Sequence, residues 1–438
     1  MSVAPRRPTG GNNARPIEIE LPTPHADQIR ALSIPGRHKA IRCGRRWGKT
    51  LLAETMACEM AIDGKLVGWF APEYKFLSEA YSDIVEYLQP LIYRSSRMDG
   101  VIRLITGGRI DFWSLDNERA GRSRRYHQVI VDEAAFCKPG MLEIWRRSIE
   151  PTLLDYVGSA VAASNTNGTD PDNFFYRLCT EPKWGFSEYH APSANNPYLP
   201  LEEIEALRAR THPLVFRQEY LAEFVDFGGE SFFTMASLLD EAAQPVEFPR
   251  LCDGVFAVID TAIKDGKEHD GTAVLYCASS MHIGVPLTLL DYDVLQIPGS
   301  LLEDWLPGVY RRLEELSRAC HAVHGAMGVW IEDKGSGTIL LQQARRRGWM
   351  ARPIESKLTD LGKDARAINV SGYVHRGMVK LSRTAYDRVM IFKEVSRNHL
   401  IGQVVGYRVG IDAGHGSDDL LDCFTYATAI ALGDAKGF

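Results

Sequence analysis

Arg42-Cys43-Gly44-Arg45-Arg46-Trp47-Gly48-Lys49-Thr50 is the stretch on which the reading of this chain turns. It lies between an expected strand from His38 to Arg42 and a helix-forming stretch from Lys49 to about Ile62. A glycine-bearing turn between a strand and a helix points backbone N–H groups and the positive end of the helix at an anion. Lys49 is then placed for the β- and γ-phosphates of a nucleoside triphosphate and the Thr50 hydroxyl for its Mg²⁺. The usual pattern has glycine five positions before the Gly-Lys pair. Here Cys43 holds that position and Gly44 follows one step late, so this motif needs a second one beside it.

Val129-Ile130-Val131-Asp132-Glu133 supplies it. A continuous β-branched run is the mark of a parallel strand covered on both faces. Ligands bind at the C-terminal edge of such a sheet. Asp132 is thus expected to hold the Mg²⁺ shell and Glu133 to polarise the attacking water. A third run, Ser159 to Ala163, ends in Ser164-Asn165-Thr166-Asn167-Gly168, whose small polar groups stand where hydrolysis can be sensed. Such a sequence also forms an ordinary Asn-Gly turn. Gln28, ahead of the first strand, carries an amide able to read adenine, or is simply a solvated helix residue.

This order of parts resembles the large terminase subunit of tailed bacteriophages. The residues that carry the likeness are 44–50, Gly107 to Asp116, Ala120-Gly121-Arg122 ahead of the Val129–Ala135 segment, and Ser164 to Gly168. The resemblance spans roughly residues 24–432. It implies a nucleotide site of Gln28, Gly44, Arg45, Arg46, Trp47, Gly48, Lys49, Thr50, Asp132 and Asn165, completed by an arginine. Arg45 or Arg46 would act within the subunit, whereas Arg122 would reach a neighbour's γ-phosphate in a ring.

The second half has an acidic pattern of its own. Val255 to Ile259 is an apolar strand ending in Asp260, and Gly328 to Ile331 another ending in Glu332-Asp333. Asp270 opens a further strand after a polar loop, Lys264 to His269, and Ser417-Asp418-Asp419 opens a C-terminal helix with Asp422 on the same face. Carboxylates converging from two strand ends and a helix start suit a two-metal phosphodiester hydrolase, with hard Mg²⁺ or Mn²⁺ on oxygen ligands. This half looks like the ribonuclease H-like nuclease domain of the terminases. By that likeness Asp260, Glu332 and the Asp418-Asp419 pair are the catalytic, metal-binding acids. Family copies often have His-Asp-Asp where this chain has Ser417-Asp418-Asp419, with His415 two residues earlier. Which of Asp418 and Asp419 holds metal directly therefore stays open.

Composition bounds these readings. The 438 residues, 45% hydrophobic and 24% charged, are ordinary for a globular chain of two or three domains. A formal net charge of −6 argues against a uniformly basic DNA binder, but not against local basic surfaces. Arg119 to Arg125, Arg345 to Arg347, and Lys357 with Lys363 and Arg366 are the candidates. Eight scattered cysteines without a Cys-x-x-Cys exclude a zinc ribbon and a disulfide framework. His321 and His324 read as a polar helix cap. No apolar run is long enough to span a membrane, and the N-terminus lacks a signal-peptide pattern, so a cytoplasmic protein is expected.

The expected fold is α/β. An N-terminal P-loop ATPase of the ASCE type, with a doubly wound and mostly parallel sheet, precedes a C-terminal ribonuclease H-like nuclease domain. The expected boundaries are a disordered arm 1–16, an ATPase core 17–170, a lid subdomain 171–230, a linker 231–250 and the nuclease domain 251–438. The resemblance implies ATP-driven translocation of double-stranded DNA into a procapsid and two-metal endonucleolytic cutting of concatemers. It implies ATP with Mg²⁺ in one site and two Mg²⁺ or Mn²⁺ in the other. It also implies a portal protein, a small terminase subunit and a homo-oligomeric ring, expected as a pentamer, in the host cytoplasm and transiently at the portal vertex. A DNA repair or recombination helicase-nuclease is the alternative. It calls for further helicase motifs where this chain carries metal acids.

Overall fold

The computed structural model describes residues 17–227, 232–261, 271–297, 301–409 and 418–433. The expected arm 1–16, Gly228-Gly229, the Lys264–His269 loop with Asp270, His415 and Ser417 lie outside the described residues. The chain forms two compact units. One comprises 1–204 and 217–225, the other 205–216 and 226–438. The sequence suggested a single junction near 228–250, but the chain passes between the units three times.

The first unit is built on an eight-stranded sheet. Its strands are β1 (His38–Cys43), β2 (Leu66–Ala71), β3 (Ile92–Ser96), β4 (Val101–Leu104), β5 (Arg109–Ser114), β6 (Gln128–Asp132), β7 (Ser159–Ser164) and β8 (Phe186–Ala191), in the order β3-β4-β5-β2-β6-β7-β1-β8. From β5 through β8 every pairing is parallel. The β3-β4-β5 edge is antiparallel, with β4 and β5 joined through Gly107-Gly108. On one face, α2 (Lys49–Ile62) and α3 (Tyr74–Leu88) bury Ala53, Ala57, Ala61, Leu77, Ile84 and Leu88 against Val67, Trp69 and Ile130. Another cluster packs Trp145, Ile149, Phe174 and Phe175 against Phe70, Val129 and Val131. Because side chains alternate along a strand, Ile130 belongs to one cluster and its neighbours to the other.

β8 corrects the sequence reading, which assigned 171–230 to a lid of loops and helix. Phe186-Ser-Glu-Tyr-His-Ala191 pairs in parallel along all of β1 and closes the core sheet at its edge. Its burial is intermediate or exposed except at Ala191, so no apolar run announced it. Edge strands tolerate this composition because one side faces solvent.

The second unit carries β9 (Gly254–Asp260), β10 (Thr272–Ser279), β11 (Leu287–Leu295), β12 (Ala326–Ile331), β13 (Ala351–Pro353) and β14 (Val379–Leu381), ordered β13-β12-β9-β10-β11-β14. β9, β10 and β11 form an antiparallel meander, and β12 and then β13 add in parallel beside β9. The sheet is therefore mixed, with parallel and antiparallel pairings. The helix Leu302–Ala319 places Leu302, Leu306, Val309, Leu313 and Leu316 on the cluster formed by Val255, Ala257 and Ile259. The helix Asp419–Leu432 is buried nearly all round, as an apolar helix lying across a sheet must be. Its Cys423 lies against Val258 O and Ala273 O, 3.5 and 3.7 Å away. All eight cysteines are free.

Candidate functional sites

The first site forms where β1, β6 and β7 end together. Register places Arg42 beside Ser164 and Asp132 beside Ala163, so residues 43–49, 132–133 and 164–168 meet at one edge. The strand order reverses between β1 and β6 around β7, and such an edge is where an open α/β sheet binds ligands. A cavity of about 610 Å³ opens there, lined by Arg45, Arg46, Gly48, Lys49, Thr50, Glu133 and Asn165 together with Phe76 and Phe136. Two glycines permit the loop. Gly48 has φ +98°, and a Cβ on Gly44 would run into Ser193 Oγ and Tyr220 O.

Lys49 is buried, and its ammonium donates to Cys43 O at 2.9 Å and Gly44 O at 3.1 Å. Burial pulls its pKa below the ordinary lysine range, opposed by Glu133 and other neighbouring acids. The Thr50 hydroxyl lies 3.5 and 3.4 Å from the two carboxylate oxygens of Asp132. Burial, then the adjacent Glu133 charge, push Asp132 up to about 7. A hydroxyl beside a buried, undercompensated carboxylate is a donor set that suits a hard cation, so the residues fit Mg²⁺. Glu133 sits in a left-handed backbone conformation with φ 50°. Its carboxylate accepts a hydrogen bond from Ser164 Oγ at 3.2 Å. Sequence had placed Ser164 near the site without this role.

Arg45 is exposed at the tip of the loop, yet its guanidinium is engaged by Glu219, to which Asn165 Nδ2 also donates at 2.8 Å. Gln218 and Glu223 extend the same clasp. Thr166 Oγ1 donates to Gln218 O at 3.1 Å and to Glu223 O at 2.7 Å, and Gly168 N donates to Gln218 Oε1 at 2.9 Å. Residues 217–223 were therefore missed as site residues. Their only signal in sequence was a polar helix of no distinctive spacing.

Two expected nucleotide contacts take other places. Trp47 is fully buried, donates from Nε1 to Asp27 Oδ2 at 2.8 Å, and packs with Ile41, Leu52 and Val161 beneath the loop. Gln28 is also buried, and both ends of its amide are used. Oε1 accepts from His25 N at 2.9 Å, and Nε2 donates to Gly48 O at 2.9 Å, so Gln28 braces the phosphate loop. Gly44 lies under the loop and Arg46 lines the cavity. Arg122 is exposed, with Nε donating to Ser148 Oγ at 3.2 Å, on the segment before β6.

The second site lies at the C-terminal ends of β9 and β12 and the first turn of Asp419–Leu432. Asp260 ends β9, Glu332 follows β12, and Asp419 accepts from Gly271 N at 3.0 Å beside the start of β10. Burial pushes Asp260 well above the ordinary carboxylate range, with Asp422, Asp419 and Glu332 adding their repulsion and Arg366 opposing it. Asp422 is thus a full member of this group. Asp418 is held by Lys363, whereas Asp422 and Asp419 are the largest charges raising Asp260. Glu332 is paired with Lys334 at 2.9 Å and accepts from Tyr426 OH at 3.3 Å. Asp333 instead accepts from Thr338 Oγ1 at 2.7 Å.

Among the described residues no three His, Cys, Asp or Glu side chains close into a ready-made ligand set. His321 and His324 likewise make none. Asp260 and Asp422, both pushed above the ordinary carboxylate range, first by burial, stand with Glu332 and Asp419 as an oxygen donor set that hard divalent cations fit. Lys363 and Arg366, expected on a DNA-facing surface, turn their charge onto Asp418 and Asp422 instead.

In sequence, the chain is similar to the large subunit of the terminase of Escherichia phage T5, with 28% identity over 227 residues covering 49% of this chain and 51% of that protein. The match spans about half the length of this curated relative. In structure, the chain is similar to the large terminase from a thermophilic bacteriophage, with TM-score 0.59 and 12% identity over 93% of this chain and 98% of the other. The same thermophilic phage protein in complex with ATP-γ-S matches with TM-score 0.56 and 13% identity over 92% and 98%. No protein-family model matches the sequence.

Proposed function

On the premise that the chain has the fold of the large terminase subunits, a P-loop ATPase unit followed by a ribonuclease H-like unit, we propose that it drives double-stranded DNA into a viral procapsid and cuts the concatemer. The observation that carries this reading is the pairing of Lys49 and Thr50 with Asp132 and Glu133 at one sheet edge, in a chain whose other unit gathers Asp260, Glu332, Asp419 and Asp422. A sequence relative that is a terminase large subunit, and a structural relative solved with ATP-γ-S, support it.

In the first unit, Lys49 leaves the carbonyls of Cys43 and Gly44 for the phosphates of ATP, which offer a charged acceptor in their place. Thr50 and Asp132 would hold Mg²⁺, which would supply charge neutralisation on the phosphates. Glu133, steadied by Ser164, orients and polarises the attacking water. Arg45 leaves Glu219 for the γ-phosphate, and Asn165 stands beside the same carboxylate. Arg46 lines the remaining cavity wall, and Arg122 serves a neighbouring subunit in the ring. In the second unit, Asp260, Glu332, Asp419 and Asp422, with Asp418 at the rim, would hold two Mg²⁺ or Mn²⁺, whose charge would favour attack by water and departure of the leaving oxygen. A portal protein, a small terminase subunit and a pentameric ring on the procapsid complete the assembly, working from the host cytoplasm. No described helix is long and apolar enough to cross a membrane.

The test is whether purified protein hydrolyses ATP and also nicks or linearises plasmid with Mg²⁺ or Mn²⁺. Lys49→Ala should remove only the first activity and Asp260→Asn only the second. Metal-dependent cleavage that disappears with Lys49→Ala, or ATP turnover without any cleavage, would overturn the two-site reading.

A further inference from the structure

Among the described residues, one cation stands inside the carboxylate site rather than at its rim. Arg366, on the helix Lys363–His375, is only 9% exposed. Its Nη2 donates to Asp422 Oδ1 and its Nη1 to Leu361 O at 2.7 Å, and the guanidinium lies 4.9 Å over the ring of Tyr426. The Tyr426 hydroxyl in turn donates to Glu332. The guanidinium acts electrostatically on Asp260, Glu332 and Asp422 together. Lys334 and Lys363 pair from more exposed positions, at 48% and 39%.

Arg366 is also left incomplete. Its Nε is buried and makes no hydrogen bond. Buried donors without partners are rare, and an arginine fork is shaped for two parallel bonds to a carboxylate or phosphate.

We propose that Arg366 is the built-in counter-cation of this site, holding Asp422 against a second divalent ion until a DNA phosphate takes over its guanidinium. The proposal rests on the nuclease reading above. A guanidinium on Asp422 neutralises that carboxylate and repels a dication from the same side. With Arg366 in place, Asp260, Glu332 and Asp419 remain for one ion. The phosphodiester backbone offers the fork a new anionic partner that reaches the unused Nε, and Asp422 is then free. Full metal loading is thereby tied to correctly seated DNA.

The decisive measurement is Mn²⁺ binding to the full chain by calorimetry, with and without a short DNA duplex, in Ca²⁺-free buffer at a temperature where cleavage is slow. Wild-type protein should take one ion alone and two with duplex. Arg366→Gln should take the second ion without DNA, with affinity for it raised about tenfold or more, while Arg366→Lys, which keeps the charge, should stay near wild type. Melting provides an independent reading. Arg366→Gln leaves Asp422 buried and unpaired, so it should melt lower than wild type in chelator and gain more from Mn²⁺. Two ions bound by wild type without DNA, or equal stoichiometry and affinity in wild type and Arg366→Gln, overturns the proposal. Should no Mn²⁺ bind to either protein, the metal-site reading itself falls, and the proposal with it.

Discussion

Arg45, in the phosphate loop, and Glu219, on the returning segment 217–225, form an ion pair at the mouth of the nucleotide cavity. The backbones are joined as well, with Arg45 N donating to Glu219 O at 2.8 Å. This arginine of the loop is therefore already occupied, and its occupant lies on the segment from which the chain finally leaves the first unit.

Breaking this pair is a cost that ATP has to meet. Glu219→Gln should tighten ATP binding about three- to fivefold, the scale of a partly exposed ion pair worth roughly 1 kcal/mol. Arg45→Ala should lower turnover about 10²-fold or more while leaving ATP bound. Equilibrium binding of a fluorescent ATP analogue checks the first, and weaker binding by Glu219→Gln would contradict the competition.

Ser164 and Glu133 divide another task. Glu133→Gln should abolish turnover by about 10²–10³-fold with ATP binding retained, because the carboxylate acts on water. Ser164→Ala removes one hydrogen bond to that carboxylate and should cost about three- to tenfold in kcat with KM little changed. Steady-state kinetics on both variants decides whether Ser164 acts through Glu133.

The nuclease acids should separate into two classes. Asp260→Asn and Asp419→Asn should abolish plasmid cleavage with ATPase intact, whereas Asp418→Asn, whose carboxylate is turned to Lys363, should retain a substantial part. Cleavage lost equally in all three would place Asp418 among the metal ligands.

If Arg122 acts on a neighbour, mixing Arg122→Ala with Lys49→Ala subunits should recover part of the turnover that each lacks. A mixture shown to co-assemble without recovery moves the role to Arg45 or Arg46.

Acid should weaken the second unit through His212, which packs on Phe232 at 4.7 Å between ring centres and faces His375 at 5.8 Å. Burial first, then the His375 charge, lower its pKa from 6.5 to about 4. Between those values the unfolded chain binds the proton and the folded one does not, so stability falls as pH drops from about 6.5 toward 4. Screened by solvent at this partly exposed ring, the contribution is on the order of 1–2 kcal/mol over that window. Thermal melts of His212→Gln should show a flatter pH profile than wild type, and an identical profile would exclude this histidine.

Much of this protein was determined by local sequence. The strand ends at Asp132, Asp260 and Glu332, the helix Lys49–Ile62 and the helix over Asp419–Leu432 follow from apolar periodicity and from acids placed where parallel strands stop. These are short-range patterns, and a single segment contains all their information. Tertiary structure decided what long-range pairing controls. It turned Trp47 into the core and Gln28 onto Gly48, brought Glu219 to Arg45 across 174 positions, and set Arg366 on Asp422 across 56. It also paired Asp418 with Lys363 while Asp419 and Asp422 act on Asp260, a difference that three acids on one helical turn do not show in sequence. β8 was hidden for the same reason, because an edge strand is specified by the partner that accepts its backbone, here β1, more than by an apolar pattern of its own.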